Sequence, residues 1–370
     1  LTVYCRKLDA RRGNDFYLPV LENAGIRVVD YRRAPRFGGD REASALSDIG
    51  DLVALLPPHM REGTERLTDL LRHDAPEVVQ IWQDGTIFAA GLAALLAGVP
   101  RILLNVRTMP PTARIDRMRP EQATLYRGLV QAPGVTLTAN SRIAARGYEQ
   151  WLGLPRGAVA VILNGVEPLP TGSGPLDADR WRGFDERTGG GFVFGGVMRF
   201  DDNKRPIEWL AIAAALSARL PDARFVLVGD GPLRAAAEAF AHRKRIAERT
   251  LFVGRSAAVG FWLDRFDALG LTSRHEGTPN VLIEAQLAGV PVVTTPAGGA
   301  VDAVAPIDAN LILADAERPE RDAAVGHLIG LSARNGERID ADAGTIRSWA
   351  GRFSTGEMIE RTLELFGAPR

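Results

Sequence analysis

Short apolar runs of four to seven residues alternate along the chain with longer stretches whose apolar positions recur every three to four residues. The first pattern fits buried strands and the second amphipathic helices. In the first half, strands are expected at 1–5, 26–31, 77–82, 101–106, 135–139 and 159–163. Helices are expected near 15–24, 61–73, 86–97, 121–130 and 141–152. The alternation stops at 164–191, NGVEPLPTGSGPLDADRWRGFDERTGGG, which is rich in Gly, Pro and Asp and reads as a linker. It restarts with FVFGGVM (192–198), a helix at 206–219, RFVLVG (224–229), a helix at 232–248, LFVG (251–254), ALGLTS (268–273), PVVTT (291–295) and LILA (311–314). Helices at 318–333, 343–350 and 354–366 close the chain.

Strands alternating with helices imply parallel sheets covered on both faces. The expected fold class is therefore α/β, with two Rossmann-like, doubly wound parallel-sheet domains facing across a cleft. Residues 1–165 form the first domain and 166–191 the linker. Residues 192–353 form the second domain, and 354–370 a helix crossing back to the first. Ligands of such sheets bind beyond the carboxyl ends of the strands.

Composition narrows the classes. The 370 residues are 46% hydrophobic, enough for two cores. Lys plus Arg and Asp plus Glu are balanced at 45 each, so no overall field favours nucleic acid or a membrane surface. Cys5 is the single cysteine, which excludes an intrachain disulfide framework and suits a reducing compartment. No apolar run is long enough to span a bilayer. The five histidines have no metal-ligand spacing.

The richest stretch is HEGTPNVLIEAQLAG, residues 275–289. Seven residues separate Glu276 from Glu284. Thr278 suits a helix N-cap and Pro279 the first helical position. The amides of Asn280 and Val281 would then meet an anion such as a diphosphate with the help of the helix dipole. The flanking carboxylates suit sugar hydroxyls, one acid for a hexose and the other for a ribose.

Other motifs follow strand ends. In GGVMRFDDNKRP (195–206), Gly195 and Gly196 permit close backbone approach. Arg199 and Lys204 in that loop could neutralise a leaving diphosphate. Asp201 and Asp202 read better as solvated turn residues than as metal ligands. Gly229 lies in VGDGP (228–232), a tight turn that would also line the cleft, and Gly298 and Gly299 lie in another strand-end turn. In the first domain Trp82, Asp84 and Arg107 are acceptor-side candidates; the alternatives are a half-buried Trp and a helix-capping Asp. The cluster Arg114, Arg117, Arg119 and Arg127 is either a solvated face or one that meets anionic lipid or glycan.

These residues carry a resemblance. The interval from Glu276 to Glu284 within EGTPNVLIEAQLAGVPVV, the Arg199–Lys204 loop, VGDGP, LFVGR (251–255) and AGG (297–299) resemble family 4, the group 1 retaining glycosyltransferases of GT-B fold. The likeness is strong over 192–305. It is looser earlier, through GLAALLAGVPRILL (91–104), TANS (138–141) and VILNGVE (161–167).

The resemblance implies that Arg199 and Lys204 hold the donor diphosphate, that Glu284 binds ribose, and that Glu276 meets the donor sugar. Gly277, Thr278, Pro279, Asn280 and Val281 would cradle phosphate and sugar, and Val253 to Arg255 would line the base pocket. Glu276, Arg199 and Lys204 would carry the chemistry. The donor would be a UDP- or GDP-type sugar, with no essential metal or cofactor. The acceptor would be a glycan or lipid-linked glycan in bacterial surface polysaccharide or lipopolysaccharide synthesis. The place would be the cytoplasm, with peripheral contact at the inner face of the membrane and no nucleic acid.

The chain departs from the family at Arg107, where a histidine is common, and at Asp302, where a glutamate is common. Family members also have a strand and Gly-rich loop before the segment resembling LTVYC, so the polypeptide is expected to begin upstream of Leu1; the alternative register makes LTVYC itself the first strand. A non-catalytic nucleotide-sugar or glycan-binding module, or a GT-B epimerase, are the alternative readings.

Overall fold

A computed structural model describes residues 1–5, 8, 17–34, 47–113, 118–334 and 336–367. Arg114 and Arg117 of the basic cluster lie outside them. The chain divides into two compact units: Leu1–Ala139 with Ala145–Val161, and Asn140–Ala144 with Ile162–Arg370.

In the first unit, β1 (Thr2–Cys5) and β2 (Arg27–Asp30) form a parallel pair. A separate four-stranded parallel sheet holds β3 (Val78–Trp82), β4 (Arg101–Val106), β5 (Val135–Ala139) and β6 (Ala160–Val161), in that spatial order. Helices Pro58–Asp74, Asp84–Leu96 and Glu121–Gln131 bury Leu67, Leu71, Ile87, Leu92, Leu125 and Leu129. Strand β4 is buried from Ile102 to Val106, as an inner strand covered on both faces should be.

The second unit has six parallel strands: β7 (Val193–Val197), β8 (Arg224–Val228), β9 (Thr250–Gly254), β10 (Ala268–Leu271), β11 (Val292–Thr294) and β12 (Leu311–Ile312). Their spatial order is β12-β11-β10-β7-β8-β9. The chain runs outward one way from β7 through β8 and β9, then returns to β10 on its other side. The order therefore reverses between β7 and β10, which is where an open α/β sheet leaves room for a ligand.

Two apolar cores lie in this unit. One includes Phe194, Trp209, Phe225 and Leu328; the other includes Val226, Trp262, Leu269 and Ile283. Consecutive strand residues Phe225 and Val226 fall in different cores, as alternation across a sheet requires.

The expected α/β, two-Rossmann GT-B architecture is present. The stretch read as a linker differs: Pro175–Thr188 is a 14-residue helix. Pro175 sits in its first turn, where a missing N–H costs nothing, and buried Asp177 takes hydrogen bonds from Ser256 and Trp262 at 3.0 and 3.2 Å. The Gly and Pro content that signalled a break lies mostly outside the helix ends. Short helices at Ser47–Ala54, Val259–Leu263 and Ala300–Ala303 were also beyond the periodicity.

Candidate active site at the strand ends

Three of the motif loops follow β7, β10 and β11, and all three strands run the same way. The loops after β7 and β10 flank the point where strand order reverses. Lys204 Nζ donates to Glu276 Oε1 across them, and the two side chains are only 25% and 11% exposed. In such shelter the two charges attract more strongly than at the surface, but desolvating them costs more too, and losing one would strand the other.

Asparagine 203 ties the same two loops together. Its amide nitrogen donates to the His275 carbonyl at 3.0 Å, and its amide oxygen accepts from the His275 N–H at 3.1 Å. The Asn203 carbonyl accepts from Arg274 N–H at 2.9 Å. Asp201 turns the loop by accepting from the N–H groups of Asn203 and Lys204 at 3.1 and 2.9 Å. This supports the reading of Asp201 as a turn residue, and among the described residues no group of three or more potential metal ligands stands together. Arg199 is 72% exposed, its guanidinium 3.0 Å from Asp201.

Arg205 follows Lys204 with φ of +52°, a left-handed backbone that is costly without glycine. Its guanidinium donates to the carbonyls of Thr272 (2.7 Å), Glu317 (3.2 Å) and Ala316. Thr272 Oγ1 returns hydrogen bonds to the carbonyls of Lys204 and Arg205 at 3.0 and 3.1 Å. The backbone that carries Lys204 is thus fixed from both sides.

The helix after β10 is Asn280–Leu287, so it starts one residue later than expected, with Pro279 as the flanking residue. Thr278 does not cap it. Its hydroxyl donates to the Asn140 carbonyl at 2.6 Å, and Asn164 Nδ2 donates to the Thr278 carbonyl (3.1 Å) and Asn280 Oδ1 (2.5 Å). Asn140 Nδ2 donates to Asn164 Oδ1 at 3.2 Å, which completes a chain of three side-chain amides. The first amides of this helix have no acceptor within it, and a phosphate oxygen would satisfy them.

Glu284 lies in the second turn, and burial pushes its carboxyl above the usual range. It has no hydrogen-bond or ion-pair partner among the described residues. A sheltered, unpartnered carboxylate suits a ligand diol. Val281 is half-buried at the same helix start.

Several glycines have a different physical role from the one expected. A Cβ on Gly195 would lie 2.1 Å from the Phe266 ring, and one on Gly196 would lie 2.8 Å from Leu227 and 2.9 Å from Trp209. These two glycines admit core side chains, which corrects the expectation of ligand approach. Gly229, at φ +130°, leaves no room for a Cβ against the Met198 carbonyl, so it brings two strand-end loops together. A Cβ on Gly299 would fall on the Gly277 carbonyl, and Gly298 turns at φ +53°. The Gly298–Gly299 turn thus braces the loop that carries Glu276. Val253 is buried in the apolar core, and Arg255 is exposed. Asp302 accepts from the Ile143 N–H at 3.1 Å.

In the first unit, Trp82 and Arg107 stand at the carboxyl ends of β3 and β4, with the guanidinium 5.0 Å from the Trp82 ring centre. Asp84 accepts from Tyr126 (2.9 Å), Tyr148 (2.6 Å) and Thr108 (2.9 Å). Burial pushes both phenols well above their ordinary pKa, and nearby Asp84 pushes the same way. The acceptor-side candidate Asp84 is thereby a structural hub. Sequence reasoning did not find Asn140, Asn164, Asn203 or Arg205. Asn140 and Asn164 fall in stretches that carried the resemblance, but their partners Thr278 and Asn280 are more than a hundred residues away.

The family description "Glycosyl transferases group 1" matches residues 191–329. The chain is 37% identical over 321 residues to the Vi polysaccharide biosynthesis protein VipC/TviE of Salmonella typhi, covering 86% of this chain and 56% of that protein. It is 27% identical over 286 residues to a 2-deoxystreptamine glucosyltransferase of Streptomyces kanamyceticus, covering 74% and 73% of the two. In structure it is similar to HepE of Anabaena in complex with UDP and glucose, with TM-score 0.71 and 18% identity over 95% of this chain and 89% of that one. It is also similar to the lipopolysaccharide outer core galactosyltransferase WaaB, with TM-score 0.64 and 19% identity over 99% and 88%. The chain thus spans little more than half the length of its Salmonella relative, and residues 191–329 are the part that matches the group 1 glycosyl transferases.

Proposed function

We propose that this chain is a retaining glycosyltransferase of family 4 that moves a sugar from a nucleotide diphosphate onto a glycan in bacterial polysaccharide synthesis. The carrying observation is the meeting of Lys204 and Glu276 where strand order reverses, beside the start of the helix that bears Glu284. The relatives support it: HepE was solved with UDP, and the Salmonella relative is named for polysaccharide biosynthesis.

In this reading the diphosphate takes its charge partners from Lys204, Arg199 and the first amides of the Asn280 helix. Glu284 takes the ribose hydroxyls, and Glu276 turns from Lys204 to the donor sugar. Gly277 to Val281 supply backbone around it, and Trp82 and Arg107 belong to the acceptor side, with Asp84 bracing the structure beneath them. The acceptor hydroxyl attacks the anomeric carbon on the face from which the diphosphate leaves. The carbon–oxygen bond to phosphate breaks, its electron pair goes to the phosphate oxygen, and that oxygen takes the acceptor's proton. The protein supplies charge stabilisation and orientation, needing neither a strong base nor a metal. The donor is of UDP or GDP type, and the work is done in the cytoplasm at the membrane's inner face. Among the described residues no helix is long and apolar enough to cross a membrane.

The test is thermal stabilisation by UDP, GDP, ADP and CMP with chelator present, alongside Glu284→Ala. A rise with one nucleoside diphosphate, lost in the variant, is expected. No rise with any of them would remove the donor site.

A further inference from the structure

Arg107 stands at the carboxyl end of β4, beside Trp82 at the end of β3. Arg107 is half-buried, and its burial disfavours the charged form. It has no hydrogen-bond or ion-pair partner among the described residues. Other sheltered arginines are provided for: Arg205 meets three carbonyls, and Arg224 meets Asp185 and the Gly191 carbonyl. The acid closest in sequence to Trp82, Asp84, is occupied by Tyr126, Tyr148 and Thr108. A half-buried guanidinium whose neighbour is an aromatic ring keeps N–H donors free for an anion.

Its surroundings say what kind of anion. Arg107 lies 5.0 Å from the ring centre of Trp82, which is 42% exposed. An exposed indole at a strand end offers a flat apolar face to the C–H face of a sugar, and a guanidinium beside it offers a planar fork for a carboxylate. Gln83, the next residue, has φ of +74° and ψ of 140°, a conformation almost reserved for glycine. It is held there by its N–H to the Asn105 carbonyl at 3.2 Å and by Thr86, whose hydroxyl and N–H both reach its carbonyl at 3.0 Å. Strain of this kind, kept at a strand end beside an exposed aromatic, points to a ligand.

We propose that Trp82 and Arg107 form an acceptor subsite for an acidic sugar, the ring stacking on Trp82 and the carboxylate bound by Arg107. The inference rests on the glycosyltransferase reading for the word acceptor. It adds the substrate class. One guanidinium matches the single charge of a uronate carboxylate.

Isothermal titration of the whole chain, with UDP present, compares a trigalacturonate with its fully methyl-esterified form. The acid is expected to bind at least tenfold more tightly. Arg107→Ala should bring the acid down to the level of the ester, Arg107→Lys should keep part of the preference, and Trp82→Ala should weaken both ligands. Melting temperatures without ligand confirm that the variants fold. Equal binding of acid and ester, binding of neither, or a preference that survives Arg107→Ala would overturn the proposal. Stabilisation of the parent by UDP tests the donor reading separately, so failure of one is not mistaken for failure of the other.

Discussion

Glu284 carries a conflict at the scale of one residue. Its carboxylate is sheltered without a partner among the described residues, and its folded pKa lies above the ordinary 4.5. The unfolded chain therefore releases this proton at lower pH than the folded one does. As pH rises through the interval between the two values, the folded state holds more protons and stability falls. Glu284→Gln should raise the melting temperature at neutral pH, and the gain should vanish below the ordinary carboxylate pKa. A melting series across pH checks this. The same variant should lose stabilisation by the nucleoside diphosphate, because the neutral amide accepts hydrogen bonds from a diol more weakly. Lys204→Ala is expected to lower transfer by about a hundredfold or more, the usual loss when one charge-stabilising donor is removed. A radiolabelled-sugar transfer assay reads it, and little change would remove Lys204 from the chemistry.

At the scale of elements, the loops after β7 and β10 are held by groups that a linear reading does not connect. The Asn203–His275 pair and the Arg205 guanidinium fix the first loop, and the Asn140–Asn164–Asn280 amides fix the helix start. Asn164→Ala should cost about 1–3 kcal/mol by leaving buried partners unsatisfied. Denaturant unfolding measures it, and donor KM should rise with it. Arg205 separates two effects. Arg205→Ala and Arg205→Gly both lose the guanidinium, but only Gly accepts φ of +52° freely. The glycine variant should be the more stable of the two by about 1 kcal/mol. Equal stability would show that the backbone there is unstrained. Most strands and long helices were legible because apolar spacing reflects burial. The helix Pro175–Thr188 was not, since its flanking Gly and Pro residues read as a break while its packing depends on Ser256 and Trp262, distant in sequence.

At the scale of the molecule, the motif residues of the second unit were legible as a set because a parallel sheet delivers every β-to-α loop to one edge. Sequence order alone placed Lys204, Glu276 and Gly298 there. It did not show that Gly195 and Gly196 face the core or that Lys204 meets Glu276, since both depend on which side chains fill the space nearby. Hydrogen exchange offers a check on the whole unit. Adding UDP should slow exchange mainly in residues 199–205, 229–233 and 277–284. Uniform or absent protection would place the ligand elsewhere.

The Lys204–Glu276 pair has a consequence for life among competing metabolites. With each charge already answered by the other, the resting site offers little bait to the free phosphate and ATP that crowd a cell. Only a molecule that brings both an anion for Lys204 and a sugar for Glu276 compensates for parting them. Glu276→Gln should therefore become more sensitive to inhibition of nucleotide binding by inorganic phosphate, a loss of discrimination rather than of affinity.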